Sequence, residues 1–197
     1  MSASSVWNIP NALTLLRIVL IPVLVALAYI PFVGGSVAAE LPFEWRYLTA
    51  AIVFLIAALT DWFDGYLART LNQTSAFGRF LDPVADKLMV AAALIILVQW
   101  HSNNVLMVVS AIVIVSREIT ISALREWMAE LGKRASVAVS YIGKLKTTMQ
   151  MTAITVLLLH HPVLDQAGFV LLIVAAALTL WSMCIYLKAA WPYLRQP

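Results

Sequence analysis

Apolar residues fill this chain in six long stretches, and polar residues gather in the short segments between them. About 20 apolar residues, each rising 1.5 Å along a helix, cross the hydrocarbon core of a bilayer. The pattern therefore predicts membrane-spanning helices over residues 12–33, 46–69, 78–99, 105–126, 138–160 and 169–190. Met1–Asn8 reads as a polar lead, Pro10 and Asn11 as the first helix start, and Pro22 as a place for a kink. Gly34–Glu44 is expected to be a polar loop, and residues 70–77 to hold the turn of a helical hairpin. His101–Asn104 reads as a short turn, Trp127–Ser136 as a polar connection, His160–Gly168 as a loop, and the chain end as a basic tail. No repeat or low-complexity segment interrupts the series.

Composition narrows the class. With 62% hydrophobic and only 12% charged residues, the chain has too little polar surface for a soluble domain of this size. One all-α integral membrane domain over 1–197, with six transmembrane helices and a polar cytoplasm-facing cavity, is the expectation. The single Cys184 excludes an intramolecular disulfide. No secretory signal peptide is expected, because residues 1–10 carry no basic side chain. Nothing in the pattern points to nucleic acid.

The net charge of +3 matters less than its placement. Six spans put both termini on one side. If that side is the cytoplasm, Arg17, Arg69, Arg79, Lys87, Arg117, Arg125, Lys133, Arg134, Lys144, Lys146, Lys188 and Arg195 all fall in the inner half. Only Arg46 falls outside. Trp45 and Trp100 then mark the outer membrane edge, and Trp7, Trp127 and Trp191 the inner one.

Against this apolar background stand four carboxylates, Asp61, Asp64, Asp82 and Asp86. Each costs roughly 2.5–3.5 kcal/mol at bilayer depth, and the four together on the order of 10 kcal/mol, unless they face water or bind cations. On a helix, Asp61, Asp64, Gly65 and Ala68 share one stripe, and Gly78, Asp82 and Asp86 share another. Across a hairpin, Asp61 lies level with Asp86 and Asp64 with Asp82, so the carboxylates converge between two helices. Oxygen ligands so placed suit two hard divalent cations.

Plainer readings stand beside these. Asp82-Pro83 fits a helix start, with Asp as cap and Pro at the first position. Arg17 fits a snorkelling cation. Asp61-Trp-Phe-Asp64-Gly65 lacks the ligand spacing of a calcium loop. Lys133 and Arg134 read as positive-inside residues, and His160-His161 as an interfacial pair rather than a metal site.

The full motif is Asp61-x2-Asp64-Gly65-x2-Ala68-Arg69-x8-Gly78-x3-Asp82-x3-Asp86. It resembles, without departure, the signature of the CDP-alcohol phosphotransferases, membrane enzymes that join an alcohol to the phosphatidyl group of a CDP-linked lipid and release CMP. Pro10-Asn11-Ala-Leu-Thr14-Leu-Leu-Arg17 is similar to that family's first helix. Ser116-Arg117-Glu118 through Lys144-Leu-Lys146-Thr147 resembles the bacterial branch that forms phosphatidylglycerol phosphate. The resemblance covers nearly the whole chain and is weakest over 30–46 and the C-terminal tail.

The resemblance implies a reaction of CDP-diacylglycerol with sn-glycerol 3-phosphate, the committed step of phosphatidylglycerol and cardiolipin synthesis. It implies a homodimer in the bacterial inner membrane, surrounded by lipid. Asp61, Asp64, Asp82 and Asp86 would ligate two Mg2+ or Mn2+ ions, with Asp86 also the general base. Asn11, Thr14, Arg17, Asp61, Gly65, Ala68, Arg69 and Gly78 would line the nucleotide side.

Charge then suggests the acceptor site. Arg117, Arg125 and Lys144 lie in the inner half with no partner in the aspartate motif, and burying them is costly without an anion. Arg117 and Arg125 are about 80° apart around an ideal helix and about 12 Å apart along it. They reach one phosphate only if the helix bends or their side chains extend along it, with Lys144 closing the site. Local neutralisation by Glu118 and Glu126 is the competing reading. Two other functions compete with the whole assignment: a sibling transferase using inositol phosphate or serine, and a divalent-cation transporter, which would need acidic residues toward both faces.

Overall fold

The structure is a computed structural model, and it describes residues 8–33, 43–70, 75–132 and 141–194. The polar lead up to Trp7, most of the outer loop, the hairpin tip, the connection bearing Lys133 and Arg134, and the end of the basic tail lie outside the described residues. Those described form six helices and no strands: α1 (Ile9–Val33), α2 (Phe43–Thr70), α3 (Ala76–Trp100), α4 (Val105–Glu130), α5 (Tyr141–Leu158) and α6 (Pro162–Leu194). The chain is an all-α integral membrane protein. Stretches within α1, α4 and α6 are long and apolar enough on their own to cross a membrane. Large apolar side chains cover the outer surface of the helices, among them Ile95 at 65% exposure and Ile112 at 60%. In water such a surface would drive aggregation; in lipid it is solvated.

Several helix ends differ from the expected ones, for identifiable local reasons. α1 begins at Ile9 because Asn8 caps it, its Oδ1 accepting from the Asn11 amide at 2.9 Å. α2 starts at Phe43 rather than 46, and α3 at Ala76 rather than 78. Ser75 caps α3: its Oγ accepts from the Gly78 amide at 2.9 Å. Asp82 and Pro83 consequently lie inside α3, which removes the reading of Asp82 as a helix cap.

α4 continues through Trp127–Glu130, taken above as connection, because no breaker intervenes before Gly132. That glycine adopts φ +70°, and its amide donates to the Ala129 carbonyl at 3.0 Å, closing the helix. α5 ends at Leu158, two residues early, and His160 follows at φ +47°. Pro162–Gly168, expected as loop, is the first part of α6. Proline presets φ at a helix start, and Asp165 complements the dipole in the first turn. With 33 residues α6 is about 50 Å long, well beyond the hydrocarbon core of about 30 Å.

The described residues group into two compact units. In the first, α1 packs along both α2 and α3, which also touch each other. The buried stripe of α1 runs Asn11, Thr14, Arg17, Leu24, Ala28, polar at its start and apolar toward its end. Ala50, Ala51, Phe54 and Ala57 of α2 and Ala85, Met89 and Ala93 of α3 are buried as well. Alanines at these positions let the helices approach closely, the usual basis of packing in lipid. His160 belongs to this unit and stacks on the Tyr47 ring, 4.5 Å between centroids.

In the second unit α4 packs on α6. Ile121, Leu124 and Met128 form a core with Tyr186 and Ala190. Asn104 caps α4 by accepting from the Leu106 and Met107 amides. Gly168 of α6 sits against Leu157 of α5, where an added Cβ would stand 2.8 Å from the Leu157 side chain.

Candidate active site

The acidic hairpin is held by α1. Asn11, Thr14 and Arg17 recur every third residue, so they lie on one face, and they are 2%, 0% and 1% exposed. Polar side chains buried this deeply need partners. Thr14 donates its hydroxyl to Asp82 Oδ1 on α3. Arg17 pairs with both aspartates of α2: Nη1 lies 2.8 Å from Asp61 Oδ1, and Nη2 donates to Asp64 Oδ2. Residues three apart on α1 thus reach carboxylates on two other helices. Arg17 does not snorkel to the interface; its fork closes on the acidic motif.

The four aspartates differ in environment. The Asp64 side chain is 5% exposed and that of Asp61 is 48% exposed, so the stripe on α2 has one buried and one open carboxylate. Asp82 and Asp86 are partly buried, one turn apart on α3. The bonds to Arg17 and Thr14 engage one oxygen each of Asp61 and Asp82, leaving the second oxygen of each for another partner. Hard carboxylate oxygens on neighbouring helices, one of them open to solvent, fit a divalent cation of the magnesium type.

Ser75 is a site-supporting residue that sequence reasoning missed. Asn11 Nδ2 donates to Ser75 Oγ at 2.9 Å, and Ser75 Oγ donates to Asn11 Oδ1 at 3.0 Å. The same serine caps α3, so it fixes the start of the helix that carries Asp82 and Asp86. Its signal was a serine three residues before Gly78. Gly78 itself lies against Asn11: a Cβ there would stand 3.2 Å from Ser75 Oγ and closer still to Asn11 Oδ1. The side chains at Gly65, Ala68 and Arg69 lie outside the described residues.

The second unit carries a basic cluster. Arg117, 6% exposed, donates from Nη1 to Glu118 Oε1 at 3.1 Å and from Nη2 to Ser182 Oγ at 2.9 Å. Ser182 Oγ in turn donates to the Thr179 carbonyl at 2.9 Å. Lys146, 3% exposed, donates to the same Glu118 oxygen. Arg125 Nη2 donates to the Tyr186 hydroxyl at 3.0 Å. Both guanidinium groups also face the Tyr186 ring, at 5.6 Å for Arg117 and 5.2 Å for Arg125.

Two arginines eight residues apart therefore meet at one aromatic ring, which is how side chains extending along α4 overcome their separation. Glu118 does neutralise Arg117 in part, but it is shared with Lys146, so two cations draw on one carboxylate. Lys144 lies outside the described side chains. Tyr186 and Ser182 escaped sequence reasoning because they sit singly in an apolar helix, and their partners are 61 and 65 residues away.

Comparison with known proteins places this geometry in context. The family described as CDP-alcohol phosphatidyltransferase matches residues 7–181. A protein of Salmonella typhimurium (strain LT2) is 52% identical over 185 residues, covering 93% of this chain and 95% of the relative. One from Yersinia pestis (strain Pestoides F) is 52% identical over 192 residues, covering 96% and 98%. Both relatives carry the name CDP-diacylglycerol--glycerol-3-phosphate 3-phosphatidyltransferase.

Proposed function

Because the chain belongs to the CDP-alcohol phosphatidyltransferase family, we propose that it transfers the phosphatidyl group of CDP-diacylglycerol to sn-glycerol 3-phosphate. The observation that carries this reading is the 52% identity, over nearly the full length of both chains, to transferases of that name. The products are phosphatidylglycerol phosphate and CMP. In the displacement, a hydroxyl oxygen of the acceptor bonds to the lipid-side phosphorus and the bond from that phosphorus to the CMP oxygen breaks. The hydroxyl proton passes to Asp86.

The donor chemistry of Asp61, Asp64, Asp82 and Asp86 suits two divalent cations, magnesium or manganese, which when bound neutralise diphosphate and leaving-group charge. Thr14 holds Asp82 in place, and Arg17 engages one oxygen each of Asp61 and Asp64. Asn11, Thr14 and Arg17 from α1, with Gly65, Ala68, Arg69 and Gly78, line the CDP side. Arg117, Arg125 and Lys144 bind the phosphate of the acceptor, a dianion that suits paired guanidinium groups. The acyl chains stay in lipid beside the apolar outer faces of the helices.

The whole chain acts as one catalytic domain, supported by a family match that runs across 7–181. It works as a homodimer in the bacterial inner membrane, with both termini and the acidic site facing the cytoplasm. The distribution of basic residues, all but Arg46 in the inner half, supports that orientation.

Acceptor choice provides the test. Purified protein supplied with CDP-diacylglycerol and magnesium is expected to release CMP with glycerol 3-phosphate. With glycerol, serine or inositol phosphate, release should fall by at least about tenfold, because a site built for a ligand's polar groups rejects analogues that leave them unpaired. Equal release with inositol phosphate or serine would instead assign the chain to a sibling activity.

A further inference from the structure

From the geometry we infer that Arg17 is a built-in counter-ion that competes with divalent cations for Asp61 and Asp64 and so sets how tightly the acidic site holds metal. The inference rests on the cation-binding reading given above and adds to it a residue that opposes binding.

Arg17 is 1% exposed, so its charge cannot be screened by water. Its two terminal nitrogens engage carboxylates one turn apart on α2, Asp61 Oδ1 at 2.8 Å and Asp64 Oδ2. Those two residues are the same ones that would ligate a cation. A guanidinium and a divalent cation repel each other and cannot share the same oxygen lone pairs at full strength. Loading of the site through the second carboxylate oxygens therefore sets the cation close to the guanidinium, and their repulsion weakens both interactions.

The fold keeps the guanidinium beside these carboxylates. Arg17 is one turn from Thr14, whose hydroxyl is held by Asp82, so the helix carrying the guanidinium is itself anchored to the acidic hairpin. At the same time Asp61 is 48% exposed on its side chain, which leaves an approach for an ion from water. A diphosphate ligand offers the displaced guanidinium another anion. Nucleotide binding should therefore strengthen cation binding in part through Arg17, and by linkage the reverse holds equally.

The test is direct Mn2+ binding to the purified full-length protein in nanodiscs, read from the electron paramagnetic resonance signal of free Mn2+ without nucleotide. Wild type, Arg17→Gln, Arg17→Lys and Asp61→Asn are compared. Arg17→Gln is expected to bind Mn2+ at least tenfold more tightly than wild type, while Arg17→Lys, which keeps the charge, stays nearer to wild type. Added CDP should tighten Mn2+ binding less in Arg17→Gln than in wild type.

Thermal unfolding serves as the control for folding. Arg17→Gln should unfold at a lower temperature than wild type in EDTA and regain the difference with Mn2+. Unchanged or weaker Mn2+ binding by Arg17→Gln, with wild type binding normally, would overturn the inference alone. If wild type binds no Mn2+, or Asp61→Asn binds it as well as wild type does, the cation reading falls and this inference with it.

Discussion

Asp61→Asn and Asp64→Asn are each expected to lower turnover by at least about two orders of magnitude, equivalent to roughly 2.7 kcal/mol of transition-state stabilisation. Asparagine keeps the size of the side chain and one acceptor oxygen but loses the charge that holds a cation. The same loss is expected for Asp82→Asn, and for Asp86→Asn through removal of the base, with CDP-lipid binding better retained in the last case.

The two α2 variants should separate in stability. Asp64 is 5% exposed and pairs with an Arg17 that is 1% exposed, so its neutralisation weakens a buried ion pair. Asp64→Asn leaves Arg17 only the half-exposed Asp61 as partner, so its cost is a part of the about 3–5 kcal/mol lost when a buried pair is broken outright. Asp61 is 48% exposed, and its loss leaves Arg17 still paired with Asp64. Equal turnover losses with a lower unfolding temperature for Asp64→Asn alone is therefore the expected pattern. Near-wild-type turnover at low magnesium by Asp61→Asn, Asp64→Asn or Asp82→Asn would sink the assignment of these residues as cation ligands.

The second large effect concerns the acceptor. Arg125→Ala is expected to raise the KM for glycerol 3-phosphate at least tenfold, about 1.4 kcal/mol of binding, and to change the KM for CDP-diacylglycerol much less. Arg125 makes the cleaner test than Arg117. Arg117 is deeply buried and shares Glu118 with Lys146, so its removal also disturbs packing between α4 and its neighbours. Tyr186→Phe keeps the ring and removes the hydroxyl bonded to Arg125, so it should shift the same KM in the same direction by a smaller factor. Comparable shifts in both KM values would move the cluster to the lipid headgroup.

Hydrophobic periodicity was enough to find all six helices, because lipid demands long apolar stretches and leaves few alternatives. It was a poorer guide to where they end. Helix ends depend on single residues, and Ser75, Gly132 and Pro162 decided three of them by capping, positive φ and preset φ. The acidic motif was legible because carboxylates are conspicuous in an apolar chain. Arg17 was ambiguous for the opposite reason: a cation near a helix start fits both snorkelling and burial, and only the pairing of α1 with α2 decides between them.

The basic cluster was half legible. Arg117 and Arg125 stood out by charge, and Glu118 was in view as a neutralising neighbour. That Tyr186 gathers both arginines was beyond reach, since a tyrosine in α6 carries no mark of a partner 61 residues earlier. Lys146 was visible as an inner-half cation and as part of the resembling stretch, but not as the partner of Glu118 that ties α5 to α4.

The most direct measurement is the stoichiometry of products from the purified chain given CDP-diacylglycerol, with and without sn-glycerol 3-phosphate, in the presence of magnesium. Transfer by direct displacement predicts one CMP for each phosphatidylglycerol phosphate formed, and almost no CMP when the acceptor is left out. CMP released at an undiminished rate without acceptor, or CMP formed with no phosphatidylglycerol phosphate beside it, would contradict that reaction.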